Sequence, residues 1–262
     1  MIRTKEKIVR KTCFWLSLLA ALIAARVAAD PNALWHIVHE QCALNQQQGK
    51  PPAPCVALDQ SPASPWGYAV LKSREGRLQY LLIPTTPISG IEDPALLSAN
   101  QPNYWQAAWQ ARRFMSGQLG APIARDNIAL SINSPYGRSQ EQLHIHISCV
   151  DPDVYNAVAT QKDQINDNWQ PLTSKLQGHV YLARRLAALP GDLPAGNPFH
   201  LLADQIPDAA RQMSHYTLAM LALTFSDGKP GFVLLAGHTD LIRGNRGSAE
   251  ELQDHSCRVL NH

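Results

Sequence analysis

The chain has 262 residues, 45% of them hydrophobic, which is enough for one sizeable domain and excludes disorder as the main state. Charged side chains make up 17%, below the roughly 25% of an average soluble chain, and the formal net charge is +2. So slight an excess of cations counts against nucleic acid as a partner, which calls for a strongly basic face.

That charge is unevenly placed. Residues 1–29 hold Arg3, Lys5, Lys7, Arg10, Lys11 and Arg26 against Glu6 alone, and the other 233 residues carry 17 basic and 20 acidic groups. A mildly acidic body follows a basic leader. From Cys13 to Ala25 thirteen residues bear no charge, and Arg26 and Val27-Ala28-Ala29 come next. Basic, then apolar, then small is the order of an export signal, with Ala29 as a cleavage point. Counted to Ala29 the run is seventeen residues, near the roughly 20 of a spanning helix, so a retained anchor with Arg26 snorkelling to the interface is the competing outcome. Cations ahead of the run keep the N-terminus in the cytoplasm and send the body outside. A buried core helix is disfavoured, because the cations at its start oppose the helix dipole. Residues 1–29 are therefore expected to be a leader and anchor, and 30–262 one compact unit.

The body holds an even four cysteines, Cys42, Cys55, Cys149 and Cys257, which allow three pairings. Cys42 and Cys55 bracket an exposed Pro- and Gly-containing loop, which favours Cys42–Cys55 and Cys149–Cys257. Four free thiols are the alternative, and zinc lacks a cysteine pair at the usual two- to four-residue gap.

In chain order, Leu34, Ile37, Val38, Gln41, Cys42 and Leu44 mark a helix within 30–48, opened by Asp-Pro. Five prolines then forbid regular structure until Trp66. Strand-like runs at 68–72 and 78–83, joined through Glu75-Gly76, predict a hairpin. TTPISGIEDP (85–94) is a loop, and 103–119 a helix whose Trp105, Trp109 and Met115 recur at core spacing, with Arg112 and Arg113 on a solvated face. Strands at 128–132 and 142–148 follow, joined by NSPYGRSQE. Beyond Cys149 the pattern reads as helical and loop-rich, except for 220–236, which can be laid over 69–84 with Gly228 on Gly76. That echo predicts a second hairpin and leaves a degenerate half-repeat open beside two ordinary hairpins.

The stretch Gln142-Leu143-His144-Ile145-His146-Ile147-Ser148 carries the chemistry. Alternation sends Gln142, His144, His146 and Ser148 to one face and buries Leu143, Ile145 and Ile147 on the other. Asn133 and Ser139 can approach the polar side. Spacing alone leaves three readings open: an inert surface H-x-H, a metal site lacking a third ligand among His179, His200, His215, His238 and His255, or a nucleophilic imidazole attacking phosphorus.

QLHIHIS, with Asn133, Gly137-Arg138-Ser139 and LLIPTTPIS (81–89), resembles the histidine-triad superfamily. WHIVHEQC (35–42), NYWQAAWQARRFM (103–115) and SINSPYGRSQEQLHIHISC (131–149) extend the likeness over nearly the whole chain to the bacterial branch that acts on CDP-diacylglycerol. The resemblance implies an α+β, HIT-like antiparallel sheet with helices, anchored in the inner membrane with its catalytic domain in the periplasm. It implies hydrolysis of CDP-diacylglycerol to CMP and phosphatidate, with His144 as nucleophile and His146 in the last triad position. Ser139, Asn133, Arg138 and Gln142 are then expected to bind substrate, with no metal and no cofactor required. Two departures stand out: Gln142 occupies the first triad position, where it can orient a ring but not titrate, and Pro87 replaces a loop histidine. A nucleotidyltransferase or soluble-nucleotide hydrolase of the same superfamily, or an exported metal-binding module, are the alternatives.

Overall fold

The computed structural model describes residues 30–60 and 66–260. The anchor expected before residue 30 lies outside them; among the described residues no helix is long and apolar enough to cross a membrane.

The fold is α+β and centres on one antiparallel sheet. Its strands are β1 (Cys55–Asp59), β2 (Tyr68–Lys72), β3 (Tyr80–Pro84), β4 (Ile128–Ile132), β5 (Ile145–Val150), β6 (Gln170–Pro171), β7 (Tyr181–Leu189), β8 (Leu193–Pro194), β9 (Tyr216–Thr224), β10 (Pro230–His238) and β11 (Gln253–Asp254). They lie in the order β1-β2-β3-β5-β4-β9-β10-β7-β6, with β11 beside β5 and β8 beside β7. The order repeats across the β4–β9 seam: β2-β3-β5-β4 on one side, β6-β7-β10-β9 on the other, each with a helix between its second and third strand in sequence. The hairpin expected over 220–236 forms as β9–β10. In this order its counterpart is β4–β5, not the β2–β3 hairpin over which its sequence can be laid.

Residues 150–262 correct the helical reading. They supply three nine-residue strands, β7, β9 and β10. β9 is buried at eight consecutive positions and β10 at seven. A strand covered on both faces has no alternation to read, and its apolar run is indistinguishable from a buried helix.

Helices cover both faces. On one face Tyr104–Ala111 and Arg113–Leu119, together with Pro198–Gln205, bury Trp105, Trp109, Met115 and Phe199 against Leu82, Leu130, Ile145, Ile147 and Phe232. The expected single helix over 103–119 breaks at Arg112, whose guanidinium lies over the Trp109 ring and pairs with Asp192 rather than facing solvent. Asn103, Asp151 and Asn197 start their helices by accepting hydrogen bonds from the first backbone N–H groups, as N-cap side chains do.

The second face carries two separate apolar patches. Leu34, Val38 and Cys42, on a helix over 33–47 with a π segment at Ile37–Ala43, cover Leu71, Leu81 and Ile83. Val154 and Val158 cover Leu221, Leu223, Val233 and Leu235. Directly opposed residues in antiparallel strands share a face, so the cross-sheet row Leu71, Leu81, His146, Ser131, Ala219, Leu235 has its polar members in the strip between the patches.

Both bridges are present, Cys42–Cys55 and Cys149–Cys257. The second spans 108 residues and ties the C-terminal segment to β5. Replacing Cys149 and Cys257 by alanine should lower the unfolding free energy by about 4 kcal/mol through released chain entropy. Urea denaturation of the variant against the parent protein measures it, and an unchanged midpoint would deny the bridge that role.

Candidate active site

Strand β5 begins at Ile145, so Gln142 and His144 stand just before it instead of within the expected strand over 142–148. Their alternation survives because Leu143, Ile145 and Ile147 all pack into the core of the first face. His144 and His146 emerge on the second face, each nearly buried, with ring centroids 4.9 Å apart and edge to face.

Nδ1 of His144 lies 2.7 Å from the main-chain carbonyl of Gln142. A carbonyl only accepts, so Nδ1 bears the proton and Nε2 holds a free lone pair. Burial, reinforced by the neighbouring His146, pushes the His144 imidazole down to about 4 despite the opposing pull of the Gln142 carbonyl and Glu250. At neutral pH it is an uncharged base with its tautomer fixed.

His146 is held from the other side. Its Nδ1 is 3.1 Å from Oε1 of Glu250 and 2.8 Å from the Gln79 amide nitrogen, and its Nε2 has no hydrogen-bond partner among the described residues. The same carboxylate oxygen accepts from Gln79 at 3.1 Å and from Nε2 of His255 at 2.9 Å, while Nδ1 of His255 meets the Ser148 hydroxyl at 3.2 Å. Oε2 accepts from the Asn133 amide at 3.2 Å. Burial alone would raise the Glu250 carboxyl, but the hydrogen bonds from His146 and His255 outweigh it and hold the group well below the usual carboxylate range. Gln253 completes the floor, bonding Ser131 and the main-chain carbonyls of Ala129 and His146.

The remaining expected residues divide. The Gln142 side chain points away from His144 and donates to the carbonyls of Pro84 and Thr86, so it is the main chain at 142 that orients the ring. Asn133 accepts from the Glu250 amide and the Ser248 hydroxyl, holding the 248–250 segment over the strip. Ser139 is exposed on the turn that leads to His144. Arg138 is not a free anion ligand: its guanidinium is gripped by both oxygens of Glu92 at 2.7 and 2.8 Å and by Glu141 at 2.6 Å. Gly137 lets this turn close onto the loop beyond β10, since a Cβ there would stand 2.9 Å from the Gly247 carbonyl.

Glu250 and Gln79 were not among the expected site residues, and His255 was considered only as a metal ligand. No local spacing connects them with His146, but the expected Cys149–Cys257 pairing held the signal, because it brings residues near 255 beside Ser148. Among the described residues, Glu75, Glu250 and His255 also place three possible metal-ligating atoms within 4.8 Å of one another. Two of those atoms already bond each other. A cavity of about 780 Å³ is lined by Arg112, Arg113, Ser116 and Ile123 around the helix end on the opposite face, away from the histidines.

Arg138→Met should leave Glu92 half-buried without a cation and cost about 2 kcal/mol of stability. The double variant Arg138→Met with Glu92→Gln should recover part of the loss in urea denaturation. Equal losses in single and double variants would refute the pairing as the reason for Arg138.

The sequence profile of the CDP-diacylglycerol pyrophosphatase family matches residues 29–261. A CDP-diacylglycerol pyrophosphatase of Yersinia pestis is 50% identical over 245 residues, covering 94% of this chain and 91% of that protein. A match that spans the strands, the histidine strip and the C-terminal segment that closes it is a match to the whole architecture, and the chain belongs to the CDP-diacylglycerol pyrophosphatase family.

Proposed function

We propose that the chain hydrolyses CDP-diacylglycerol to CMP and phosphatidate through a covalent nucleotidyl-histidine on His144, on a sheet of the histidine-triad kind. The observation that carries this reading is the His144 tautomer. A neutral imidazole with Nδ1–H committed to a carbonyl directs one lone pair, on Nε2, at an electrophile.

In the first step the Nε2 lone pair bonds to the cytidine-linked phosphorus and the bond from that phosphorus to the bridging oxygen breaks. The electron pair leaves with phosphatidate. A phosphate monoester has a second pKa near 6, so this leaving group departs without prior protonation. A non-titrating residue at position 142 is therefore no obstacle. In the second step water attacks the same phosphorus, the phosphorus–nitrogen bond breaks, and CMP leaves. Nε2 of His146 takes the water proton, and the Glu250 carboxylate steadies the imidazolium through Nδ1, as a carboxylate does for the base of a catalytic triad. The Ser139 hydroxyl and the main chain of its turn supply donors to the phosphoryl oxygens. Arg138, neutralised by its carboxylates, positions that turn and does not bind phosphate itself.

Export is part of the same reading. Two disulfides belong to an oxidising compartment, and the basic, apolar leader supports a single inner-membrane anchor with the catalytic body in the periplasm, where its lipid substrate is at hand.

His144→Ala should abolish CMP release with the fold intact by circular dichroism. His146→Ala and Glu250→Gln should slow turnover by about 100-fold or more, the scale of a lost general base, while a cytidylyl adduct at His144 accumulates in rapid-quench mass spectrometry. Turnover without an adduct in all three, or inversion at phosphorus traced with isotopic oxygen, would leave direct attack by water as the mechanism.

Acid should act in two separable ways. The rate of adduct formation should not fall through His144 protonation until pH approaches 4, well below the ordinary imidazole value of about 6.5. Stability should decline sooner: the folded-state value lies below the unfolded one, so between about 6.5 and about 4 the unfolded chain binds a proton that the buried ring refuses. Single-turnover rates and thermal midpoints taken over the same pH series check both, and His144→Gln should flatten that part of the stability curve.

A further inference from the structure

The loop that follows β10 carries Leu241 52% exposed and Ile242 fully exposed, at the tip of the sequence LIRGNR (241–246). A bare aliphatic pair at a loop tip has no use in water. The tip is built and held: Asp240 and Asn245 exchange main-chain hydrogen bonds of 2.9 and 2.8 Å, and the Ser134 hydroxyl donates to the Arg246 carbonyl. Arg243 leans 3.6 Å from Asp240, and Arg246 is exposed with no carboxylate partner among the described residues. Exposed Tyr136 and the stacked rings of His215 and His238 lie beneath it.

Strand direction places this tip relative to the histidines. In the antiparallel sheet the ends of β3, β4 and β10 and the start of β5 all lie along one end. The His144 approach, the Ser139 turn and the 239–247 loop therefore open the same way. Pro31 belongs to this end too, since its carbonyl accepts from the Glu141 amide at 2.7 Å and Leu34 donates to Gln140.

We propose that this end docks on a bilayer, with Leu241 and Ile242 entering the boundary between headgroups and acyl chains and Arg243 and Arg246 meeting anionic lipid phosphates. The inference rests on the lipid substrate of the proposed function. Residues 30–262 carry 17 basic against 20 acidic groups, so the body as a whole is repelled by an anionic surface and attraction must be local to the basic tip. Aliphatic side chains inserted among cations, with aromatic rings at the rim, are the chemistry of an interfacial contact. Docked so, the His144 end faces the layer in which the diacyl chains of the substrate remain.

The test uses the full chain with Cys13→Ser and Ile242→Cys, labelled at 242 with an environment-sensitive fluorophore, in vesicles containing phosphatidylglycerol or phosphatidylcholine alone. The label should shift to the blue with phosphatidylglycerol and less with phosphatidylcholine; a water-like spectrum in both would overturn the docking. In parallel, the double variant Leu241→Ser with Ile242→Ser should lose about tenfold in kcat/KM on long-chain CDP-diacylglycerol in vesicles, the scale of removing one buried aliphatic side chain. Its rate on a short-chain, monomeric analogue should be unchanged. Equal loss on both substrates would overturn docking in favour of a structural role, and a blue shift that requires a second protein would identify a protein partner instead. Failure of the parent chain to release CMP from either substrate would defeat the proposed function while leaving the fluorescence result to stand by itself.

Discussion

One half-buried carboxylate organises the site. Glu250 is held ionised in a strip of sheet between two apolar patches, and it survives there because His146, His255, Gln79 and Asn133 all converge on its two oxygens. Removing such a charge from water is costly unless donors replace the solvent. The arrangement is therefore all or nothing: the start of β3 must bring Gln79 beside it, β4 must lead into Asn133, β5 must present His146, and the C-terminal segment must return across the sheet to deliver Glu250 and His255. The 108-residue span of the Cys149–Cys257 bridge secures that return.

The two histidines are neighbours with different partners. His144 meets a main-chain carbonyl and is buried beside His146, which holds it neutral and fixes its lone pair. His146 meets the Glu250 carboxylate through Nδ1. In the proposed mechanism a nucleophile must stay uncharged and a base must accept charge, so two residues of one type would draw different roles from their different partners. Gln142 illustrates the same economy: its side chain ties down the loop after β3, and its main-chain carbonyl does the orienting.

The antiparallel sheet also gives the molecule a working end. Loops after β3, β4 and β10 and the approach to β5 gather there, on a framework whose opposite faces are closed by Trp-rich helices on one side and two smaller helical patches on the other. The exposed apolar and basic side chains of the 241–246 loop project from that same end.

Local pattern determined a good part of this protein. The alternation from Leu143 to Ile147 fixed which histidines share a face, the spacing of Trp105, Trp109 and Met115 fixed the core side of their helix, and the Pro/Gly loop between Cys42 and Cys55 favoured the cysteine pairing. Such signals are short-range and survive without knowledge of the rest of the chain. What tertiary structure alone decided is everything carried by sequence separation. The strands after residue 150 are buried on both faces and so lose the period that would reveal them. The fate of Arg138 depended on Glu92, 46 residues away. Glu250 and His255 reach His146 only because β11 pairs with β5, a contact set by packing energy over a hundred residues of chain and by no pattern within any window of it.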